Sequence, residues 1–248
     1  MSRSDKIEGR NPVMEALKAE REIDKILVAK GAAEGSIHKI VGIAKERGIP
    51  IQYVERQKLD QLSESHAHQG IIAFAAAHAY VDVAHILKKA EEKGEDPFIV
   101  ILDEITDPHN LGSVIRTAYA AGVHGVIIPK RRAVGLTAVV AKTSAGAIEY
   151  VPVAKVSNLA QTIDRLKERG LWIIGADMDG EKAYYENDLT GKIALVIGSE
   201  GKGIGRLIKE KCDFIIHIPM KGEVGSLNAS VAAAILMYEV MKQRKGKE

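Results

Sequence analysis

Cysteine is nearly absent from this 248-residue chain: Cys212 stands alone, so no disulfide can form within it. Long apolar runs are missing too. None approaches the ~20 residues that a membrane-crossing helix requires. The polar start, Met1 to Arg10, lacks the apolar stretch of a signal peptide. These absences point to a soluble, cytoplasmic protein with no membrane partner. Aromatic residues make up only 4%, with three Phe and one Trp. Platforms that stack the bases of single strands usually need more, so a nucleic-acid partner would be met through backbone loops, Arg and Lys. A strong net charge is also lacking, since 35 basic side chains oppose 33 acidic ones. The small basic excess falls late, where residues 191–248 hold 10 basic and 6 acidic side chains. A solvated surface explains that excess as well as an RNA face does.

What is present is apolar content of 46%, enough to bury a sizeable core and to exclude wholesale disorder. Asn11-Pro12 reads as an N-cap with Pro at the first helical position, opening a helix to about Glu20. Strand patterns follow at Lys25–Lys30, Pro50–Glu55 and Ile71–Ala77. Helices are expected at Gly35–Gly48, ending in a glycine cap, and around Gln57–Ser63. Residues 1–77 therefore form a small α/β module. Within residues 78–96, Asp82 to Gly94 is charged and helix-prone and ends in the breaker cluster Gly94-Glu95-Asp96-Pro97, so the stretch reads as a linker. Beyond it, apolar runs at Phe98–Leu102, Gly125–Pro129, Tyr150–Ala154, Trp172–Ala176, Ile193–Gly198 and Phe214–Pro219 alternate with helical patterns. Runs such as FIVIL and IALVIG imply a mostly parallel sheet covered on both faces. A final apolar helix runs from Asn228 to about Gln243.

Ligands of such sheets bind beyond the carboxyl ends of the strands. Three unusual loops stand there. The first, Asp103 to Gly112, leads through Asn110, a natural N-cap, into a helix carrying Arg116; a capped helix with a surface Arg explains it equally well. The second, Gly198-Ser199-Glu200-Gly201-Lys202-Gly203-Ile204-Gly205, holds four glycines, which permit φ > 0 and close backbone approach to a ligand. It lacks the Gly-Lys-Ser/Thr of a triphosphate loop and the G-x-G-x-x-G of a dinucleotide fold. The third runs from Ile218-Pro219-Met220 to Gly222-Glu223-Val224-Gly225-Ser226-Leu227-Asn228. Ser226 or Asn228 there could serve only as a helix cap, while the helix amides could meet an anion.

Taken in order, N-x5-R, IGSEGKGI and IPM…GSLNAS resemble the three motifs of the SpoU (TrmH) family of RNA ribose 2′-O-methyltransferases over roughly residues 97–245. GRNPVMEAL and HQGIIA in the first third are similar to the substrate-binding domain of the RlmB branch, which methylates a guanosine of 23S ribosomal RNA. The resemblance implies a trefoil-knotted SPOUT methyltransferase domain over residues 97–248, behind a small domain like ribosomal protein L30e. It also implies S-adenosylmethionine as methyl donor, no metal, and a homodimer. Matched position by position, Gly198, Ile218 and Leu227 would hold the donor, and Asn110, Arg116, Glu200, Ser226 and Asn228 would form the active site. Glu200 would lock the first and third loops together, and Asn110 would orient Arg116 or the ribose. A tRNA ribose methyltransferase and a non-catalytic ribosome-assembly factor are the competing functions.

Other residues take plainer readings. His66 and His68 suit RNA contact or solvation better than metal binding. Lys130-Arg131-Arg132 could meet phosphates or be a solvated turn. Lys242, Arg244, Lys245 and Lys247 read as a frayed tail, and Cys212 as packing.

Overall fold

The computed structural model describes residues 6–32, 35–222 and 225–246. The chain divides into two compact units, Met1–Ala79 with Gly135–Ala138, and Tyr80–Val134 with Val139–Glu248.

The first unit contains β1 (Lys6–Glu8), α1 (Arg10–Lys18), β2 (Ile23–Ala29), α2 (Ser36–Glu46), β3 (Ile51–Val54), α3 (Arg56–Leu62) and β4 (Ile71–Ala75). Its sheet runs β1-β4-β2-β3, with only the β2–β3 pair parallel. Val13 and Leu17 of α1 and Ile37 and Ile40 of α2 bury against Ile26 and Ile71. The 3.6-residue spacing of those apolar positions is why both segments are helical. β1 carries too short and too charged a pattern to be read from sequence. Asn11 does not cap α1. The helix starts one residue earlier, behind Gly9 at φ 93°, and the Arg10 amide donates to Gln69 Oε1 at 3.2 Å. Gly48, at φ 65°, ends α2 as expected.

The second unit opens with α4 (Val83–Lys93), inside the stretch expected as a linker. Asp82 caps it, and Ile86 joins the apolar core beneath the main sheet. The helix-prone pattern of Asp82 to Gly94 does form a helix, and its buried Ile86 and Ala90 tie it to the unit. There follow β5 (Phe98–Leu102), α5 (Pro108–Ala120), β6 (Gly125–Pro129), α6 (Ala138–Thr143), β7 (Val153–Val156), α7 (Leu159–Glu168), β8 (Trp172–Ala176), β9 (Lys182–Ala183), β10 (Ile193–Ile197), α8 (Arg206–Lys209), β11 (Phe214–His217) and α9 (Ala229–Lys245). The seven-stranded sheet runs β7-β6-β5-β10-β8-β11-β9, and every pairing is parallel. All five residues of β5 and of β10 are buried, as the unbroken apolar runs required. β7 begins three residues later than its apolar run, after Pro152, which has no amide to give to a ladder.

The basic C-terminal end is not a frayed tail over its described part. Arg244 donates to the carbonyls of Asp96, Pro97 and Gly191 at 2.8–3.2 Å and lies 5.2 Å from the Phe98 ring centre. Lys242 pairs with Glu239. Lys247 lies outside the described residues. Among the described residues no helix is long and apolar enough to cross a membrane.

Candidate active site

Because the sheet is parallel, the carboxyl ends of β5, β10, β8 and β11 lie side by side along one edge. A cleft of about 330 Å³ opens beyond β8, β10 and β11, bounded by the glycine-rich loop and the segment leading into α9. That volume is within the range of small-molecule sites. Five expected site residues line it: Gly198, Glu200, Ile218, Ser226 and Leu227. Glu223 and Val224 of the third loop lie outside the described residues.

The loop leaves β10 at Gly198 and turns back on itself, with Ser199 and Gly203 exchanging backbone hydrogen bonds at 3.1 and 2.9 Å. Gly201 and Gly203 make the turn at φ 84° and 65°, a region that L side chains rarely adopt. Gly198 has a different reason to be glycine. Its φ is not positive, but a Cβ there would lie 2.1 Å from the Gly203 carbonyl carbon and 2.3 Å from the Ile204 nitrogen. The returning strand of the loop fills the space.

Glu200 joins all three loops. Its Oε1 accepts from Asn110 Nδ2 at 2.9 Å, from Asn228 Nδ2 in a short contact, and from the Ala229 amide at 3.2 Å. Asn228 Nδ2 also donates to Asn110 Oδ1 at 2.9 Å, closing a ring of three side chains. The same Asn228 caps α9, its Oδ1 accepting from the Ser230 and Val231 amides. Capping and site membership are thus one arrangement rather than alternatives. The first amides of α9 are satisfied inside the chain, which leaves them poor anion donors.

Asn110 is not the cap of α5. Asp107 takes that role, accepting from the His109 amide at 2.9 Å, with Pro108 at the first helical position. Asn110 instead sits one turn in, buried, with its side chain engaged by Glu200 and Asn228. It makes no hydrogen bond to Arg116 among the described residues. Arg116 is exposed on α5, lines no part of the cleft, and makes no side-chain hydrogen bond or ion pair among the described residues.

Two carboxylates escaped the sequence reading. Asp103, at the end of β5, is buried, and its Oδ2 accepts from the Gly205 amide at 2.8 Å. Burial pushes its pKa above the ordinary carboxylate range, against the pull of that amide. Asp177, at the end of β8, lines the cleft and lies 3.3 Å from Lys209 Nζ. The strand-end rule, applied to the Trp172–Ala176 run as well, would have found it.

The remaining candidates separate cleanly. His68 is neither solvated nor available to RNA; it is buried, 2.8 Å from Asp60 and accepting from the Gly70 amide. His66 is exposed. Arg132 donates to Glu104 at 2.9 Å, while Lys130 and Arg131 have no side-chain partner among the described residues. Burial pushes the Cys212 thiol to about 12, leaving it inert as a nucleophile at neutral pH.

Comparison with known proteins gives this arrangement a context. Residues 97–238 match the model of the SpoU rRNA Methylase family, and residues 6–81 match one described as RNA 2′-O ribose methyltransferase substrate binding. YacO of Bacillus subtilis (strain 168), named provisionally as a TrmH family tRNA/rRNA methyltransferase, is 54% identical over 240 residues, 97% of this chain and 96% of its own. The crystal structure of the SpoU methyltransferase AviRb from Streptomyces viridochromogenes, in complex with AdoMet, matches with a TM-score of 0.63 at 23% identity, over 97% of this chain and 90% of that one. A structure titled as an RNA 2′-O ribose methyltransferase matches at 0.56 and 26% identity, over 97% and 88%.

Proposed function

The chain belongs to the SpoU rRNA methylase family, and from that premise we propose that it transfers a methyl group from S-adenosylmethionine to the ribose 2′-hydroxyl of a guanosine in 23S ribosomal RNA, acting as a homodimer. The observation that carries the reading is the Asn110–Glu200–Asn228 ring, built at the mouth of a cleft whose wall contains Gly198, Ile218 and Leu227.

The cleft's chemistry suits the donor. Ile218 and Leu227 offer apolar walls for an adenine, and the main chain at Gly198, Ile218 and Leu227 offers hydrogen-bonding groups. When bound, S-adenosylmethionine supplies a methyl group already activated by its sulfonium. The ribose hydroxyl is the harder partner, a poor nucleophile until its proton leaves. The chain's residues therefore have to align it and stabilise the charge that grows on its oxygen. Glu200 fixes the loops that bound the cleft, and the exposed Ser226 offers a hydroxyl at its rim. Arg116 is suited to the charged part: a guanidinium stays protonated at neutral pH and can grip a phosphate or an oxyanion with a planar fork. Within one chain it stands away from the cleft. A second copy docking on α5 and α9, where Tyr119, Val231 and Tyr238 are exposed, gives it a route there.

The ribosomal substrate is supported by the match of residues 6–81 to a substrate-binding model, alongside a methylase model described for rRNA. Lys130 and Arg131, at the same edge of the sheet as the cleft, suit phosphate contact. The name of the Bacillus subtilis relative spans both tRNA and rRNA, so tRNA is the second reading. Mapping ribose methylation in cells lacking the protein tests the first. A missing mark on a 23S guanosine is expected; a mark missing from tRNA selects the second reading, and no missing mark favours an assembly factor.

A further inference from the structure

Resting on the function assigned above, we infer that Asp103 is a positioning residue for the donor cleft: it holds the glycine-rich loop in its ligand-binding shape through the Gly205 amide. Leu102 of β5 and Ala176 of β8 are both paired with Ile197 of β10, which lies between them. The next residues, Asp103, Gly198 and Asp177, therefore occupy equivalent places at the carboxyl ends of three adjacent strands. The middle chain carries the glycine and continues into the loop. The outer two carry carboxylates.

As the loop returns, its consecutive amides meet those carboxylates. Gly205 N–H donates to Asp103 Oδ2 at 2.8 Å, and Ile204 N–H donates to Asp177 Oδ2 at a longer 3.5 Å. The glycine spacing follows from this clamp. A Cβ at Gly203 would stand 2.8 Å from Asp177 Oδ2, and one at Gly205 would stand 3.0 Å from Asp103 Oδ2. A Cβ at Gly198 would collide with the returning backbone. The loop's glycines leave room for the carboxylates and for the loop's own return, so they do more than form a turn.

Asp177 lines the cleft and pairs with Lys209, so a change there would act in several ways. Asp103 is the cleaner arm, because it lines no part of the cleft and its own amide is bonded to Ile197 O at 2.9 Å. What the geometry asks of it is an acceptor in a fixed place. An Asn side chain offers an acceptor oxygen of the same shape, so it should serve in that place.

The test measures binding of S-adenosylmethionine by calorimetry, binding of a 23S ribosomal RNA fragment, and thermal midpoints, all on the full chain. Asp103→Ala should weaken donor binding by roughly tenfold, the scale of one lost hydrogen bond to a buried acceptor. RNA affinity should be unchanged, and Asp103→Asn should bind the donor nearly as the wild type does. Should Asp103→Ala fold poorly, Gly205→Ala strains the same bond with a single methyl group and should weaken the donor likewise. Wild-type donor affinity in either alanine variant, or an Asn variant as weak as Ala, would overturn the inference. Failure of the wild-type chain itself to bind S-adenosylmethionine would instead sink the function assigned above.

Discussion

Gly198→Ala adds one methyl group at the point where β10 becomes the loop, and the structure says how much that methyl disturbs. Its nearest neighbours would be the Gly203 carbonyl carbon at 2.1 Å, the Gly203 oxygen at 2.3 Å and the Ile204 nitrogen at 2.3 Å. All are backbone, so no side chain can rotate away. Restoring ordinary van der Waals contact requires the returning limb to retreat by more than ~1 Å. That limb is held by the two Ser199–Gly203 hydrogen bonds and by the Gly205–Asp103 bond. Losing two or three such bonds, at about 1 kcal/mol each, removes about 2–3 kcal/mol from the loop conformation that forms the cleft wall. Donor affinity should fall by roughly 30- to 150-fold. Calorimetric titration of the full chain with S-adenosylmethionine is the assay. Gly191→Ala is the control, since a Cβ there meets nothing within 4 Å and its φ is not positive. A Gly198→Ala protein that melts like the wild type and binds the donor within threefold would refute the reasoning.

Arg116→Ala should lower methyl transfer by at least ~10²-fold with donor affinity unchanged, and Arg116→Lys should recover little, because an ammonium lacks the planar fork. Single-turnover rates at saturating RNA decide this; a near-normal rate removes Arg116 from the mechanism. Glu200→Ala strands two Asn side chains and the Ala229 amide and should cost about 2 kcal/mol of stability, whereas Glu200→Gln keeps one acceptor oxygen and should cost less. Equal thermal midpoints for the two variants would count against the ring. Glu8 accepts from the Ser63 and Ser65 hydroxyls and from the Glu64 and Ser65 amides; these overcome the raising effect of burial, the largest single influence, and hold its pKa at about 2 instead of 4.5. Its folded pKa is depressed, so its stabilisation is full above pH 4.5 and fades as pH falls through about 2. Glu8→Gln should therefore destabilise the first unit by about 1–2 kcal/mol at pH 7, after allowance for solvent screening, and by almost nothing near pH 2. Melts across that range check the sign. Replacing Lys130 and Arg131 together by Ala should reduce the salt dependence of RNA binding by a slope of about 1–2; an unchanged slope makes that turn a solvated one.

Much of the architecture is legible in local pattern. FIVIL and IALVI read as strands buried on both faces because each is apolar at every position, and they are so. The loop between Gly198 and Gly205 could be recognised as a ligand cradle from its glycine density, and it bounds the cleft. Such features depend on neighbours within a few residues, through side-chain periodicity and backbone freedom, so sequence alone decides them. The family motifs located five cleft residues, and the resemblance already implied that Glu200 locks the first and third loops, without naming its partners. The meeting of Asn110 with Glu200 spans 90 residues and that of Asn110 with Asn228 spans 118. The first follows from β10 lying beside β5 in the sheet, an order that differs from the order along the chain, and the second from α9 packing against α5. Whereas the Asp107 cap of α5 is a local contact with the His109 amide, the insertion of β10 between β5 and β8 sets Asp103 and Asp177 on either side of Gly198. In each case local chemistry supplied a residue able to donate or accept. Which partner it found depended on the burial of whole strands against whole helices, a balance summed over the fold and not written in any one segment.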